Sequence, residues 1–136
     1  HPPVTALQNF ARQLAAIKLG QQDPVMKVGN LDSSRDFVDV RDGVRALWLL
    51  AQKGISGEVY NQCTGKAWGM RESLDILIRI SGVNVEVRQD KQLFRPSDEK
   101  VLLGDPSKLQ SLGWRCEIPF ERTLEDIYRN WLERLS

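Results

Sequence analysis

The stretch from Arg35 to Cys63 constrains the fold of this chain more than any other part of the sequence. It opens on Arg35-Asp36-Phe37, a segment suited to a strand, and then turns amphipathic. Apolar residues recur there at helical spacing, namely Val44, Leu47, Trp48 and Ala51. β-Forming residues follow from Glu58 to Cys63. The order predicts a strand, a helix and a strand, as in a crossover unit of a parallel sheet, with Trp48 in a core.

The remaining segments continue this alternation and predict an α/β fold with short strands between helices. Helices are predicted from residue 4 to 19, from Gly69 to Gly82, from Asp105 to Gly113 and from a cap at Thr123 onward. Strands are predicted at Val25 to Val28 and, half-exposed, at Val83 to Val87. A lone crossover unit leaves a strand edge unpaired and a helix face uncovered. Because the chain also starts at His1 without a Met, we expect it to be part of something longer.

Composition limits the possible partners. The 136 residues, with a net charge of +1, create no strong field that would attract nucleic acid or an anionic membrane. No apolar run is long enough to span a membrane, and we expect no signal peptide. Cys63 and Cys116 match no metal or redox spacing, so we expect packed, reduced thiols and a cytoplasmic protein.

Two arginines stand out as candidate anion ligands. Arg35 and Arg95 are each followed within three residues by an aspartate, and a guanidinium is a planar fork that matches phosphate oxygens in pairs. They are suited to hold a diphosphate from two sides. Arg35 could instead pair with a nearby aspartate, and Arg95 could be a solvated loop charge. The threefold spacing of Asp36, Asp39 and Asp42 favours helix caps and ion pairs over a metal site.

Several motifs occur in an order that resembles the C-terminal part of the extended short-chain dehydrogenase/reductases. They are Val28-Gly29-Asn30-Leu31-Asp32, Arg35-Asp36-Phe37 with Val38-Asp39-Val40-Arg41-Asp42, Gly57-Glu58-Val59-Tyr60-Asn61, Arg95-Pro96-Ser97-Asp98, Gly104-Asp105-Pro106-Ser107-Lys108-Leu109 and Leu112-Gly113-Trp114. More narrowly, they resemble enzymes that convert GDP-mannose to GDP-deoxysugars. The Arg35-Asp36-Phe37 segment is closer to the GDP-6-deoxy-4-keto-mannose reductases, which make GDP-rhamnose, than to the GDP-mannose 4,6-dehydratases. Other epimerases and dehydratases are a looser match.

The resemblance implies a role for each candidate site residue. Arg35 and Arg95 would bind the nucleotide diphosphate, and Asp98 would lie near the ribose hydroxyls. The other candidates lie on the strand and turn that flank the base and on a helix lining the same cleft, namely Lys27, Val28, Asn30 and Arg12, the last sharing its helix with Phe10. Val28 would cover the face of the base, and the Gly-Asn turn would allow close approach of the backbone.

The chain also departs from that family in ways that affect the expected activity. It has no Gly-x-x-Gly-x-x-Gly turn to seat a cofactor pyrophosphate. It has no Tyr-x-x-x-Lys pair either, because Thr64 stands four residues after Tyr60 and Leu132 four after Tyr128. We therefore expect no catalytic, metal or cofactor ligands in this chain, and no activity from it alone.

Residues 1–136 would form the nucleotide-sugar-binding region of a parent oxidoreductase, with 35–65 adding a helix and a strand to its Rossmann-type sheet. NAD(P)H would bind to an absent N-terminal half, and the parent would be a homo-oligomer acting on a GDP-sugar. The alternatives of another class are a nucleotide-sugar-binding module without chemistry and a pure interaction domain.

Overall fold

The computed structural model describes residues 4–54, 66–93, 101–102 and 107–136. Helices and short strands alternate in these ranges. In chain order they are α1 (Val4–Lys18), β1 (Val25–Val28), β2 (Ser34–Arg35), α2 (Val40–Lys53), β3 (Trp68–Gly69), α3 (Met70–Ser81), β4 (Glu86–Gln89), a 3-10 turn (Lys91–Leu93), β5 (Val101–Leu102), α4 (Ser107–Ser111) and α5 (Phe120–Leu135). The α/β class with short strands is confirmed, while the predicted strand at 58–63 lies outside the described residues.

The main core lies between β1 and the helices α1, α3 and α5. The side chains of Met26 and Val28 are fully buried there, against Leu14 of α1, Leu74 of α3 and Leu124 of α5. Lys27 is exposed, as strand alternation requires. The predicted helices α1, α3 and α5 each bury an apolar face in this core.

Glycine ends two of these helices as predicted. Gly20 follows α1 with φ of +75°, and Gly82 caps α3 with φ of +70°. This left-handed conformation strains residues that carry a Cβ. The positions of these glycines therefore set where α1 and α3 stop.

Two small sheets are present in the described ranges. β1 pairs in parallel with β4, and in the other sheet β2 lies between β3 and β5. β2 runs antiparallel to β3 and parallel to β5. The strand predicted to open on Arg35 in fact ends there, and residues 36–39 lead to α2 without strand pairing. The half-exposed strand predicted at 83–87 is present, shifted to Glu86–Gln89.

The predicted core position of Trp48 on α2 is wrong, whereas the expectation that a helix face is left uncovered agrees with the structure. The apolar face of α2 is largely exposed: Val44, Leu47 and Trp48 have exposed fractions of 59%, 60% and 68%, and Val40 and Ala51 are exposed too. We call these five residues the α2 stripe. The buried side of α2 presents Ala46, which packs with Leu109 and Trp114 in a second, smaller core. Periodicity identified an apolar face but could not show whether anything covers it.

The start of α5 also differs from the prediction. The helix begins at Phe120, and its N-cap is Pro119, four residues before the expected cap at Thr123. The Thr123 hydroxyl instead donates to Asp39 at 2.7 Å. Cys116 is exposed rather than packed. Among the helices described, none combines the length and apolarity needed to cross a bilayer.

Candidate functional site

β2 lies at the centre of the candidate site because it carries Arg35. In the three-stranded sheet the Arg35 backbone lies opposite Trp68 of β3 on one side and Leu102 of β5 on the other. The central strand of a sheet is held on both edges, so the direction in which its chain leaves the sheet is well defined. The Arg35 side chain itself lies outside the described residues.

The described residues on either side of the segment that contains Arg95 and Asp98 contact β1 and β2. Before this segment, the Asp90 N–H donates to the Val28 carbonyl at 2.9 Å. After it, Val101 pairs with Ser34. Arg95 and Asp98 themselves lie outside the described residues. Both ends of this segment are therefore fixed beside the ends of the turn between β1 and β2.

Gln13 on α1 supports β1 in a way that the sequence analysis missed. Its side-chain amide donates to the Lys27 carbonyl at 3.0 Å and accepts from the Lys27 N–H at 3.2 Å. The amide thus occupies the edge of β1 opposite β4, as a neighbouring strand would. Gln22 bonds to the same side chain at 3.3 Å. No sequence motif marks this role, because it depends on how α1 packs on β1.

Three other residues, Lys27, Val28 and Arg12, were expected near the nucleotide base, and they differ in how exposed their side chains are. Lys27 is exposed beside α1, whereas the side chain of Val28 is fully buried in the main core. Val28 is therefore unable to cover the face of a base with its side chain as expected, and only its backbone borders the turn. Arg12 is exposed on α1, next to Gln13, and donates to Asn9 at 2.8 Å. The buried Phe10 belongs to the core.

The turn after β1 is organised by Asn30 rather than by glycine. The Asn30 side-chain oxygen accepts the Asp32 N–H at 2.9 Å, which is an Asx turn. Gly29 has no positive φ, so the backbone conformation at this position does not require a glycine. This bond fixes the path of the chain from β1 towards β2.

An aromatic stack joins β3, the segment after β2 and the start of α5. Phe120 stacks on Phe37 with ring centroids 5.3 Å apart and on Trp68 at 4.5 Å. The Lys66 ammonium lies 4.0 Å from the centre of the Trp68 ring. These residues line a cleft of about 260 Å³ that Asp39 and Thr123 also border. The stack attaches the start of α5 to β3 and to the segment that follows β2.

The aspartates after β2 act as caps and ion-pair partners. Asp39 is the N-cap of α2, and its pKa is held well below the ordinary value by hydrogen bonds from Arg41 and Thr123, which outweigh the opposing effect of burial. Asp42 is fully buried and pairs with Arg45. No group of carboxylate, histidine or cysteine ligands suited to a metal occurs in the described ranges. The expected roles of Asp39 and Asp42 in a helix cap and in ion pairs are confirmed.

The candidate groups that the structure describes include the Lys27 ammonium and the Arg12 guanidinium, which are of the kinds that hold anions. Tyr128 carries a phenol, but its hydroxyl is buried in the main core, where burial raises its pKa.

Comparison with known proteins supports the family resemblance of the sequence motifs along almost the whole chain. A family model described as GDP-mannose 4,6 dehydratase matches residues 3–127. The GDP-6-deoxy-D-mannose reductase of Pseudomonas aeruginosa is 36% identical over 130 residues, which are 95% of this chain and 43% of the relative. The GDP-6-deoxy-D-talose 4-dehydrogenase of Aggregatibacter actinomycetemcomitans is 36% identical over 118 residues, which are 85% of this chain and 40% of the relative.

The solved structures agree with the sequence matches. The structure of RMD from Pseudomonas aeruginosa complexed with NADPH superposes with a TM-score of 0.90 at 33% identity, covering 98% of this chain and 44% of that one. The chain therefore spans less than half the length of these relatives.

Proposed function

Because the chain belongs to the GDP-mannose 4,6-dehydratase family within the extended short-chain dehydrogenase/reductases, we propose that it is the substrate-binding portion of an NAD(P)-dependent GDP-sugar reductase. The complete protein would reduce the C4 ketone of a GDP-bound 6-deoxy sugar in the cytoplasm, as a homo-oligomer. This portion would hold the GDP moiety and orient the hexose. Such positioning lowers the entropic part of the barrier.

The observation that supports this proposal is the central position of β2, together with the places of the described residues on either side of the segment with Arg95 and Asp98. Arg35 lies on the central strand, the segment with Arg95 and Asp98 begins beside Val28 and ends beside Ser34, and Asn30 shapes the turn between them. Two guanidinium groups facing one diphosphate would offset most of its charge. Lys27 and Arg12 add positive charge at the α1 side of the same region.

The residues of this chain do not fit a nicotinamide cofactor. A cofactor pyrophosphate needs a glycine-rich turn between a strand and a helix N-terminus, and the sequence contains no Gly-x-x-Gly-x-x-Gly. When bound elsewhere in the complete protein, NAD(P)H supplies the hydride. We assign substrate binding to this chain and expect it to be inactive by itself.

The α2 stripe supports a two-part enzyme. A row of exposed side chains that includes Leu47 and Trp48 is unusual for a surface in permanent contact with water. The relatives are more than twice as long as this chain, which covers 43% and 40% of them. We propose that the N-terminal part of the complete protein covers the stripe.

GDP titration of the complete protein by calorimetry tests the proposed binding role. Arg35→Ala and Arg95→Ala should each weaken GDP binding by about 10- to 100-fold, because a hydrogen bond to a charged group contributes roughly 1.5–3 kcal/mol. Arg129→Ala is the matched control, since Arg129 is exposed on α5 and pairs with Glu125. Unchanged GDP affinity in both site variants would refute the diphosphate assignment.

An activity assay then separates the candidate functions. A reductase consumes one NAD(P)H for each GDP-4-keto-6-deoxy sugar reduced. Loss of water from GDP-mannose to give that ketone is redox-neutral, so a dehydratase consumes none. Binding of GDP with neither activity in the complete protein would favour the module without chemistry.

A further inference from the structure

The carboxylate of Asp42 joins α2 to a distant part of the chain. It lies fully buried in the first turn of α2 and accepts the N–H groups of Glu117 at 3.1 Å and Ile118 at 3.2 Å, besides pairing with Arg45. The Asp42 carbonyl accepts the Trp114 indole N–H at 2.9 Å. One residue therefore holds the stretch 114–118 against the start of α2.

Asp39 makes a second connection three residues earlier. Its side chain accepts the Arg41 N–H at 2.8 Å, which caps α2, and the Thr123 hydroxyl at 2.7 Å. The Arg41 guanidinium bridges Asp39 and Asp126, at 2.9 Å from each. The start of α5 is thereby attached to the last residue before α2. We call Asp39 and Asp42, with their partners on residues 114–123, the aspartate clamp.

The clamp and the pairing of β2 with β5 together fix both ends of the segment 35–39. At one end of the segment 35–39, β2 pairs with β5, which precedes α4 and the stretch 114–123 in the chain. At the other end, the clamp holds the same stretch. Both ends of the segment that carries Arg35 are therefore fastened to residues 101–123.

We propose that Asp39 and Asp42 are positioning residues that hold Arg35 where its guanidinium contacts the ligand. This inference rests on the proposed binding of a nucleoside diphosphate. β2 is two residues long, so its strand pairing alone provides few hydrogen bonds to fix the chain beyond Arg35. Without the clamp, residues 36–39 regain backbone freedom, and an arginine displaced by about 1 Å loses its paired contacts with phosphate.

A double-mutant cycle in the complete protein tests this inference. Asp39→Asn and Asp42→Asn are each made with Arg35 present and with Arg35→Ala, and both GDP and guanosine are titrated calorimetrically. With Arg35 present, each clamp variant should weaken GDP binding about tenfold or more, while guanosine binding stays unchanged. With Arg35→Ala, the clamp variants should have little further effect on GDP affinity. The free-energy effects of two substitutions are not additive when one residue acts through the other.

The controls separate positioning from general destabilisation. Asp75→Asn, on the exposed face of α3, should leave GDP affinity unchanged. If Asp42→Asn does not fold, Thr123→Val enters the same cycle, because it removes only the hydroxyl that donates to Asp39. Thr123→Val should then produce a smaller loss of GDP affinity that again disappears with Arg35→Ala.

The outcomes distinguish failure of the inference from failure of the proposed function. If Arg35→Ala weakens GDP binding but the clamp variants have no effect, or equal effects with and without Arg35, the positioning role is overturned and the binding site stands. A loss of guanosine affinity as large as that of GDP would likewise overturn it. If Arg35→Ala leaves GDP binding unchanged, the diphosphate site and the clamp's role in it are both refuted.

Discussion

The hydroxyl of Thr123 donates to the carboxylate of Asp39 at 2.7 Å and so joins the first turn of α5 to the N-cap of α2. Thr123 was expected to cap α5, but its hydroxyl instead holds the N-cap residue of α2. This contact, together with the Arg41 guanidinium, keeps Asp39 ionised well below its ordinary pKa. The same carboxylate therefore links the stability of the fold to the pH of the solution.

The first prediction concerns acid denaturation. Because the pKa of Asp39 is depressed in the folded state, its charge stabilises the fold above its unfolded pKa of about 3.9, and this contribution is lost as the pH falls from there towards the folded pKa. The difference in unfolding free energy between the native protein and Asp39→Asn should be constant from about pH 5 to 7 and shrink below about pH 4. Urea titrations across this range measure it, and an undiminished difference near pH 3 would contradict the prediction.

The second prediction concerns the buried hydroxyl of Tyr128. It finds no hydrogen-bond partner within the described part of the chain, and a buried hydroxyl without a partner costs about 1–3 kcal/mol. Tyr128→Phe should therefore leave the unfolding free energy unchanged or raise it by up to about 1 kcal/mol. Chemical denaturation measures this, and a clear loss of stability would show that the hydroxyl is bonded in solution.

The third prediction concerns Gln13. Gln13→Met keeps the length of the side chain but removes both hydrogen bonds to the Lys27 backbone, so it should lower the unfolding free energy by about 1–3 kcal/mol. Gln110→Met on the exposed face of α4 is the matched control and should change stability by less than about 0.5 kcal/mol. Equal stability of the two variants would mean that water replaces the Gln13 amide.

The fourth prediction concerns the α2 stripe. In the 136-residue chain, replacing Leu47 and Trp48 by Gln should reduce binding of a hydrophobic dye without lowering stability, because both side chains are exposed. In the complete protein the same double variant should lower the unfolding free energy by several kcal/mol, as truncation of buried side chains does. Similar stability losses in the two proteins would argue against a covering N-terminal part.

Local pattern predicted most of the elements that pack against one another. Apolar residues at helical spacing placed α1, and β-branched residues placed β1 at Val25–Val28. Gly82, in the left-handed region, ended α3 where expected. These signals are local, because they depend on spacing and on the conformational preference of single residues.

The candidate site was less predictable, because most of its geometry is non-local. Pairing of β2 with β5 brings together segments some 67 residues apart (Ser34 with Val101), and no local pattern encodes that register. Burial of the Val28 side chain and the support that Gln13 gives to Lys27 both depend on the packing of α1 against β1. The places of the Arg35, Arg95 and Asp98 side chains at the ligand stay predictions.

The sequence by itself determined the α/β alternation, the apolar faces and the family, since these follow from the order and spacing of residue types. Only the tertiary structure decided which apolar faces are covered and which polar groups meet. The α2 stripe is exposed although its periodicity matches that of a core helix, and Asp42 is buried although it is charged. The physical reason is that burial depends on what a neighbouring segment supplies, here the N–H groups of Glu117 and Ile118 for one carboxylate.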